Sequence, residues 1–233
     1  MEVVGMNRFG IIITHNRPEL LRETWQAIGP QVEMVIVLDN ASDPPVDHRE
    51  LHAAGWRTAV VKVPDQPPNL SKLWNLGITL VTGLLIGRDD ASDAHIAMLC
   101  DDAPPPTGWF GAVVEAMRAT GAVVGCSAAE PFGWAGPPKL KTARDYNLTE
   151  RITGWAWIID PVSQVRADEQ FEWWWGDTDV DWQARSAGGM VMIGSHPVPN
   201  RRPNDFTSRP DLMAQSGLDG ERFAAKYGSR PWL

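Results

Sequence analysis

Hydrophobic positions along this chain fall into short continuous runs that alternate with longer amphipathic stretches. A continuous apolar run is typical of a strand that is buried on both faces, whereas apolar positions three or four apart indicate a helix with one buried face. On this pattern the predicted strands are 9–14, 34–38, 58–63, 94–99, 122–125, 152–159 and 190–193. The predicted helices are 18–28, 69–80, 108–120, 176–187 and 218–227. Strands that alternate with helices predict an α/β fold, in which helices flank a mostly parallel central sheet.

Polar residues follow three of the predicted strands at the point where each strand ends. Residues 14–16 follow the first strand, 39–42 follow the second and 101–102 follow the fourth. The carboxyl ends of parallel strands meet at one edge of a sheet, and ligands bind in the crevice beyond that edge. The sequence therefore predicts that the functional site lies there.

Length and charge limit the classes of protein to which the chain can belong. With 233 residues, of which 43% are hydrophobic, it is long enough for one domain with an ordinary core. We expect an N-terminal extension at 1–7, a main domain at 8–199 and a C-terminal tail with a short helix at 200–233. The formal net charge of −8 makes a nucleic acid an unfavourable partner.

The sequence also predicts a compartment. No apolar run approaches the roughly 20 residues that a membrane-spanning helix needs. The first residues lack the basic and apolar stretches of a signal peptide. Two cysteines, Cys100 and Cys126, cannot form a disulfide framework. We therefore expect a cytoplasmic protein in a reducing environment.

Five segments share the order and spacing of a known family. In chain order they read IIITHNRPELLRETWQAI, VIVLDNAS, NLSKLWNLGI, AMLCDDAPPPTGWF and GDTDVDWQARSAGG. Together they cover about residues 9–196 and resemble the inverting family 2 glycosyltransferases, which have the GT-A fold. The family pattern is a strand that ends in T-Y-N-R, a strand that ends in D-N-x-S, an N-x-G helix, a D-x-D or N-D-D metal motif and an E-D-x-D-x-x-x-R helix.

The resemblance implies a GT-A-like catalytic domain at 8–199 that moves a sugar from a nucleotide-diphosphate donor to an acceptor hydroxyl with inversion. The expected donor is a UDP-sugar, and the expected acceptor is a glycan, a protein or a small molecule. The resemblance does not decide whether the chain forms a homo-oligomer.

The resemblance also assigns residues to the donor. Those that match nucleotide-binding positions are Thr14, His15, Asn16, Asp39, Asn75 and Asp101. Asp39 would accept a hydrogen bond from the uracil ring. Judged from the residues alone, Asp39 is equally an Asx-turn residue, and His15 is equally an ordinary loop histidine.

A metal ion is the expected cofactor, because carboxylate-bound Mn²⁺ or Mg²⁺ neutralises charge as a diphosphate departs. By resemblance Asp102 contacts the metal and His196 completes the site. Cys100 stands where the family has its first acidic residue. The alternatives are that the aspartates begin a turn and that His196 is a loop residue.

An acceptor hydroxyl must lose its proton as it attacks, and a positioned carboxylate accelerates that step by roughly 10²–10⁴-fold. Asp179 matches the family base, with Thr178 in place of the usual glutamate, and Asp177 is a competing carboxylate. Asp181 and Arg185 lie four apart and can pair on a helix. The alternative is that acidic residues here favour a helix N-terminus.

Aromatic residues surround the expected acceptor region. Indole rings pack on the apolar faces of sugars while the ring N–H stays available for a hydrogen bond. We therefore expect Trp155 and Trp174, together with Asp177, to contact the acceptor. The alternative is that these tryptophans form a compact aromatic core.

The sequence leaves alternatives to the glycosyltransferase function. A sugar-nucleotide-binding module without activity is the main alternative, because Cys100 and Thr178 replace acidic residues of the family. A nucleotidyltransferase is disfavoured, since the first strand is followed by THNRPE rather than by a glycine-rich loop. DNA as the acceptor has only Arg201 and Arg202 in its favour.

Overall fold

The computed structural model describes residues 7–52, 55–64, 67–129, 132–143, 150–201 and 209–228, and its described part is built on one sheet. The strands are Arg8–Thr14 (β1), Met34–Asn40 (β2), Arg57–Val63 (β3), His95–Cys100 (β4), Val124–Ala129 (β5), Lys139–Lys141 (β6), Ala156–Ile159 (β7) and Met190–Val198 (β8). The α-helices are Pro18–Ile28 (α1), His48–His52 (α2), Leu70–Leu85 (α3), Trp109–Thr120 (α4), Gly176–Ala187 (α5) and Pro210–Tyr227 (α6). Short 3-10 helices occupy Gly29–Gln31 and Ala91–Asp93.

The strand order is β3-β2-β1-β4-β7-β5-β8-β6, and only β7 and β6 run against the other described strands. This confirms the predicted α/β class and the mostly parallel sheet. The carboxyl ends of β1, β2 and β4 therefore meet at one edge. The antiparallel β7 lies beside β4, where the Cys100 N–H donates to the Trp155 carbonyl over 2.9 Å.

Alternate residues of each central strand face two separate hydrophobic layers. In β1, the fully buried Ile11 packs with residues of α3 and α5, whereas its neighbour Ile12 packs with residues of α1 and α4. Burial on both faces explains why the central strands are continuous apolar runs rather than alternating patterns. No helix within the described residues is both long and apolar enough to cross a membrane.

Several element bounds differ from the sequence prediction. The fifth predicted strand, 122–125, is found at Val124–Ala129, and the last helix begins at Pro210 rather than at 218. Gly217 lies inside that helix, directly before the predicted start, and its low helix propensity interrupted the pattern there. The short elements α2 and β6 were not predicted, because too few residues form them to make a periodic pattern.

Helix α3 approaches the sheet closely at Gly77. A methyl group there would lie 2.9 Å from Cγ2 of Ile11, a fully buried residue of β1. Gly83, on the same helix, has open space around it. The absence of a side chain at Gly77 therefore sets the distance between α3 and the strand whose end carries Thr14.

We expect Gly77→Ala to lower the free energy of unfolding by about 1–2 kcal/mol, because overpacking typically costs 1–3 kcal/mol and outweighs the roughly 1 kcal/mol gained in helix propensity. Gly83→Ala is the matched control and should raise it by about 0.5–1 kcal/mol. Urea denaturation followed by circular dichroism measures both. Equal stabilities for the two variants would contradict a close packing contact at Gly77.

Candidate active site at the carboxyl edge of the sheet

The ends of β1 and β4 bring a threonine and two carboxylates together. The Asp101 N–H donates to the Ile13 carbonyl over 3.1 Å, which continues the pairing of the two strands by one residue. Thr14 Oγ1 then donates to Asp101 Oδ2 over 2.8 Å. Asp101 and Asp102 are only 4% and 6% exposed. The structure thus places two neighbouring carboxylates, buried but at the rim, where the sequence predicted the donor site.

Arg17 joins this pair from the segment between β1 and α1. Its Nη1 atom lies 3.2 Å from Asp101 Oδ1 and 3.0 Å from Asp102 Oδ2. Buried carboxylates are costly unless a cation and hydrogen bonds compensate them, and Arg17 supplies both. The sequence analysis did not assign a role to Arg17, although it is the arginine that matches the family's T-Y-N-R segment.

Burial raises the pKa of Asp101 to about 6, and the neighbouring charge of Asp102 adds to the rise, while Thr14 and Arg17 oppose it. Asp101 thus binds a proton more readily than an exposed aspartate does. The Asp101–Asp102 pair therefore carries its full negative charge only above about pH 6, unless a further cation stabilises the charged form.

The predicted nucleotide residues at the ends of β1 and β2 lie side by side, with Thr14 paired in register with Asp39. Asp39 Oδ1 accepts the Ser42 N–H over 3.1 Å, and Oδ2 accepts the Val46 N–H over 2.9 Å. Asp39 therefore orders the turn after β2, which is the alternative that the sequence left open. A second role toward a uracil ring stays a prediction.

His15 and Asn16 contact the same turn. The His15 Nδ1 atom lies 2.7 Å from the Asn40 carbonyl oxygen, to which it donates. Asn16 has a positive φ of 56° and accepts the Asp43 N–H on its side-chain oxygen over 2.7 Å. Both side chains thus lie beside Asp39, as a shared binding site requires.

Asn75 does not join this group. Its Nδ2 donates to the Ala167 carbonyl over 2.8 Å and to Glu169, and its Oδ1 accepts the Ala167 N–H over 3.1 Å. These bonds use the whole amide to hold the loop before α5. Asn75 thus has a structural role, and its contact with the nucleotide stays a prediction.

Asp179 is enclosed, which argues against direct contact with a substrate, and its role as the general base stays a prediction. The residue is 0% exposed. Its Oδ1 accepts Lys226 Nζ over 2.7 Å and Tyr227 Oη over 2.5 Å. Its Oδ2 accepts the Asp168 N–H and Gln183 Nε2 over 2.9 and 2.7 Å. With four donors and no exposed surface, the carboxylate links α5 to α6 and is closed to a substrate proton.

Asp177 lies on the opposite side of the helix, because residues two apart on an α-helix are separated by about 200°. Its Oδ2 would lie 3.2 Å from a methyl group on Gly154, whose carbonyl is 3.8 Å from the Cys100 sulfur. Burial raises the pKa of the Cys100 thiol well above its usual value, and the charge of Asp177 adds to that rise. Asp177, which is partly exposed, is therefore the carboxylate of α5 that lies toward the end of β4.

Asp181 and Arg185 form the pair that their spacing predicted. The Arg185 Nε atom lies 2.7 Å from Asp181 Oδ2, and both side chains are buried. Burial nonetheless raises the pKa of Asp181 to about 6. The Ile152 N–H donates to Asp181 Oδ1 over 3.3 Å, so the pair braces the approach to β7.

His196 lies in β8 with a positive φ of 55°. A methyl group on Gly108 would be 3.3 Å from its Nε2, and its buried Nδ1 has no hydrogen-bond partner among the described residues. Across those residues no group of three or more histidine, cysteine, aspartate or glutamate side chains is arranged to hold a metal ion. The role of His196 as a ligand stays a prediction.

The carboxylates of the site nonetheless fit one type of Mn²⁺ or Mg²⁺ site. Mg²⁺ sites are commonly built from one or two carboxylates, with the remaining ligands supplied by water and substrate phosphates. Asp101 and Asp102 provide such a pair at the carboxyl edge of the sheet. They fit a metal bound together with a nucleotide rather than a metal held by the protein alone.

The aromatic residues divide between core and site. Trp175 packs on Phe223 of α6 with ring centroids 5.0 Å apart, as the compact-core alternative expects. Trp155 and Trp174 are partly buried, and neither indole N–H has a hydrogen-bond partner within the described structure. The backbone N–H groups of Trp173 and Trp174 both donate to Asp219 Oδ2, over 2.9 and 3.0 Å.

Asp219 is an anchoring residue that the sequence analysis missed. It is 0% exposed, and Gln215 and Arg222 donate to its other oxygen over 2.8 and 3.0 Å. An aspartate within a predicted surface helix gives no sign of burial. The available signal was its position one turn before Phe223, on the face that meets the tryptophan run.

Comparison with known proteins identifies the family and the fold. The family model for glycosyl transferase family 2 matches residues 11–162, and the chain belongs to that family. A search of curated protein sequences found no match. The matched stretch ends before α5, so Trp174, Asp177 and Asp179 lie outside it.

Solved structures share the fold. Staphylococcus aureus TarS 1-349 is 12% identical, with 96% of this chain and 74% of that chain covered and a TM-score of 0.61. The same protein in complex with UDP-GlcNAc is 12% identical, with 94% and 67% covered and a TM-score of 0.63. Its complex with UDP is 11% identical, with 94% and 66% covered and a TM-score of 0.64. At such identities the likeness shows the fold alone.

We expect Asp179→Ala to lower the free energy of unfolding by about 3–5 kcal/mol, because Tyr227 Oη, Gln183 Nε2 and the Asp168 N–H then lose their enclosed acceptor, at about 1–3 kcal/mol for each donor left unsatisfied. Asp211→Ala, which removes an exposed ion pair between α6 and Arg209 just before it, is the control and should change stability little. Urea denaturation measures both. A fully stable Asp179→Ala protein would show that the link between α5 and α6 is not structural.

Proposed function

We propose that this family 2 glycosyltransferase transfers a sugar from a UDP-linked donor to an acceptor hydroxyl with inversion. The observation that carries the proposal is the buried Asp101–Asp102 pair at the carboxyl edge of the sheet. Asp177 lies across the end of β4 from that pair. One set of carboxylates thus suits the departing diphosphate, and a separate carboxylate suits the attacking hydroxyl. The complexes of TarS with UDP and UDP-GlcNAc support a UDP-linked donor.

On the donor side, the turn after β2 would receive the base, with Asp39 in place for the uracil ring and His15 and Asn16 beside it. Thr14 holds the Asp101 carboxylate through its hydroxyl, and Asp101 and Asp102 then face the diphosphate. When bound at Asp102, Mn²⁺ or Mg²⁺ supplies positive charge that offsets the charge developing on the leaving diphosphate.

On the acceptor side, Asp177 is the proposed general base in place of Asp179. As the acceptor oxygen attacks the anomeric carbon, Asp177 takes its proton and the bond from that carbon to the diphosphate breaks. Negative charge develops on the departing diphosphate, whereas Asp177 loses its negative charge when it takes the proton. The two roles therefore call for separate carboxylates. Asp177 has a partly exposed side chain, which a base must have to reach a substrate.

The acceptor is a glycan, a protein or a small molecule that presents a hydroxyl to Asp177. Trp155 and Trp174 are the proposed acceptor contacts through their partly exposed rings, while their indole N–H groups are buried and have no partner within the described structure. An inactive binding module of the same fold would bind the nucleotide without turning it over, and turnover therefore separates the two functions.

The proposal is tested by incubating the chain with a panel of nucleotide sugars, UDP-GlcNAc first, and measuring release of free nucleotide with Mn²⁺ and with EDTA. Metal-dependent release of UDP is the expected result. Nucleotide binding without release in any mixture would favour the inactive module.

We expect Asp177→Asn to lower the turnover number at least about 100-fold, because the amide cannot take the acceptor proton. The affinity for UDP, measured by calorimetry, should stay the same. Asp211→Asn, which changes an exposed carboxylate on α6, is the matched control and should turn over normally. If Asp177→Asn keeps full turnover, the base lies elsewhere.

A further inference from the structure

We infer that Arg17 is a resident cation of the donor site, which occupies the Asp101–Asp102 pair until a divalent metal arrives together with a nucleotide diphosphate. The inference rests on the proposed metal-assisted function, because it concerns the same two carboxylates. It adds an order of binding, namely that the metal alone is excluded and the metal with nucleotide is admitted.

The first observation is that one guanidinium nitrogen contacts both carboxylates. Arg17 Nη1 lies within 3.2 Å of Asp101 and 3.0 Å of Asp102. The Arg17 side chain is only 12% exposed, whereas Arg22, one turn further along α1, is 48% exposed in its pair with Glu50. Arg17 is therefore held in the site, and Arg22 forms an ordinary surface pair.

The second observation is that the backbone of Arg17 is fixed. The residue caps α1, and its carbonyl accepts the Leu21 N–H over 3.0 Å as the first bond of that helix. Pro18 follows it in the first turn, which restricts the conformation of Arg17 itself. The guanidinium consequently reaches the carboxylates from a rigid position at the end of β1.

Because of these contacts, Arg17 competes with a metal ion for the two carboxylates. A divalent cation on Asp102 would lie within a few ångströms of the guanidinium, and like charges at such a distance repel strongly in a partly buried site. A metal bound here would use the same two carboxylates that Arg17 already contacts. The metal must therefore displace the guanidinium or share the carboxylates at a cost.

A nucleotide diphosphate changes this balance. Its phosphate oxygens add negative charge next to Arg17 and supply further ligands for Mn²⁺ or Mg²⁺. Repulsion between the two cations is then offset, and the metal gains a coordination shell that Asp101 and Asp102 cannot complete. The order that follows is weak binding of the metal alone and strong binding of the metal with UDP.

The test is direct binding of Mn²⁺ to the full chain, measured by electron paramagnetic resonance of the free ion, without nucleotide and with saturating UDP. Arg17→Gln should bind Mn²⁺ at least ten-fold more tightly than the unchanged chain when no nucleotide is present. This difference in Mn²⁺ affinity between Arg17→Gln and the unchanged chain should become smaller when UDP saturates the site. Arg22→Gln removes the same charge from the same helix and should bind Mn²⁺ as the unchanged chain does.

A double variant tests whether the gain in Mn²⁺ affinity depends on the carboxylate of Asp102. Arg17→Gln combined with Asp102→Asn should lose the gain in Mn²⁺ affinity, because the freed carboxylate is then missing. Three results would overturn the inference: Mn²⁺ affinity that is equal or weaker in Arg17→Gln, no measurable binding to either protein, or a gain that survives Asp102→Asn.

These binding measurements are independent of turnover. If Arg17→Gln binds Mn²⁺ more tightly but no nucleotide sugar is consumed, the inference holds and the proposed function fails. If metal-dependent turnover is found but Arg17→Gln leaves Mn²⁺ binding unchanged, the proposed function holds and the inference fails.

Discussion

Two adjacent carboxylates, Asp101 and Asp102, are buried at the end of β4, and the rest of the candidate site depends on how their charge is compensated. Burial disfavours the charged form, which is why the pKa of Asp101 rises to about 6. A threonine hydroxyl and one guanidinium offset part of that cost. Such a pair is expensive to keep in a stable fold, and its placement at a ligand-binding edge is therefore a sign of function.

The acceptor side depends on a different set of buried charges. Asp179 and Asp219 are both fully buried, and together they fasten α6 to α5 and to the loop before it. That loop carries Trp174 and ends where α5 begins, one residue before Asp177. Helix α6 therefore fixes the direction in which the proposed base points, although it lies beyond the stretch that the family model matches.

Much of the fold could be predicted from the sequence because its signals are local. Helix α1 and helix α5 have the predicted bounds, since proline or acidic residues mark their first turns and apolar spacing marks their buried faces. The carboxylates at the end of β4 were found because the carboxyl end of a parallel strand defines an edge. Asp181 and Arg185 were paired correctly from their spacing alone.

The choice between Asp177 and Asp179 could not be made from the sequence, because both lie in the first turn of α5 and two residues reverse the direction of a side chain. The start of α5 is marked by Trp175, which has a positive φ of 69°, and by Gly176, where a methyl group would clash with Ser71 Oγ on α3. The hydrogen bonds of Asn75 could not be predicted for a similar reason, since its partner Ala167 is distant in the chain.

The central claim is that Asp101 and Asp102 hold a diphosphate through a metal ion. Calorimetric titration of UDP into the chain with Mn²⁺ and with EDTA, repeated for Asp102→Asn, tests it most directly. The account predicts UDP binding that is tight with Mn²⁺, weak with EDTA and weak for Asp102→Asn under both conditions. Equal UDP affinity in all four titrations would contradict it.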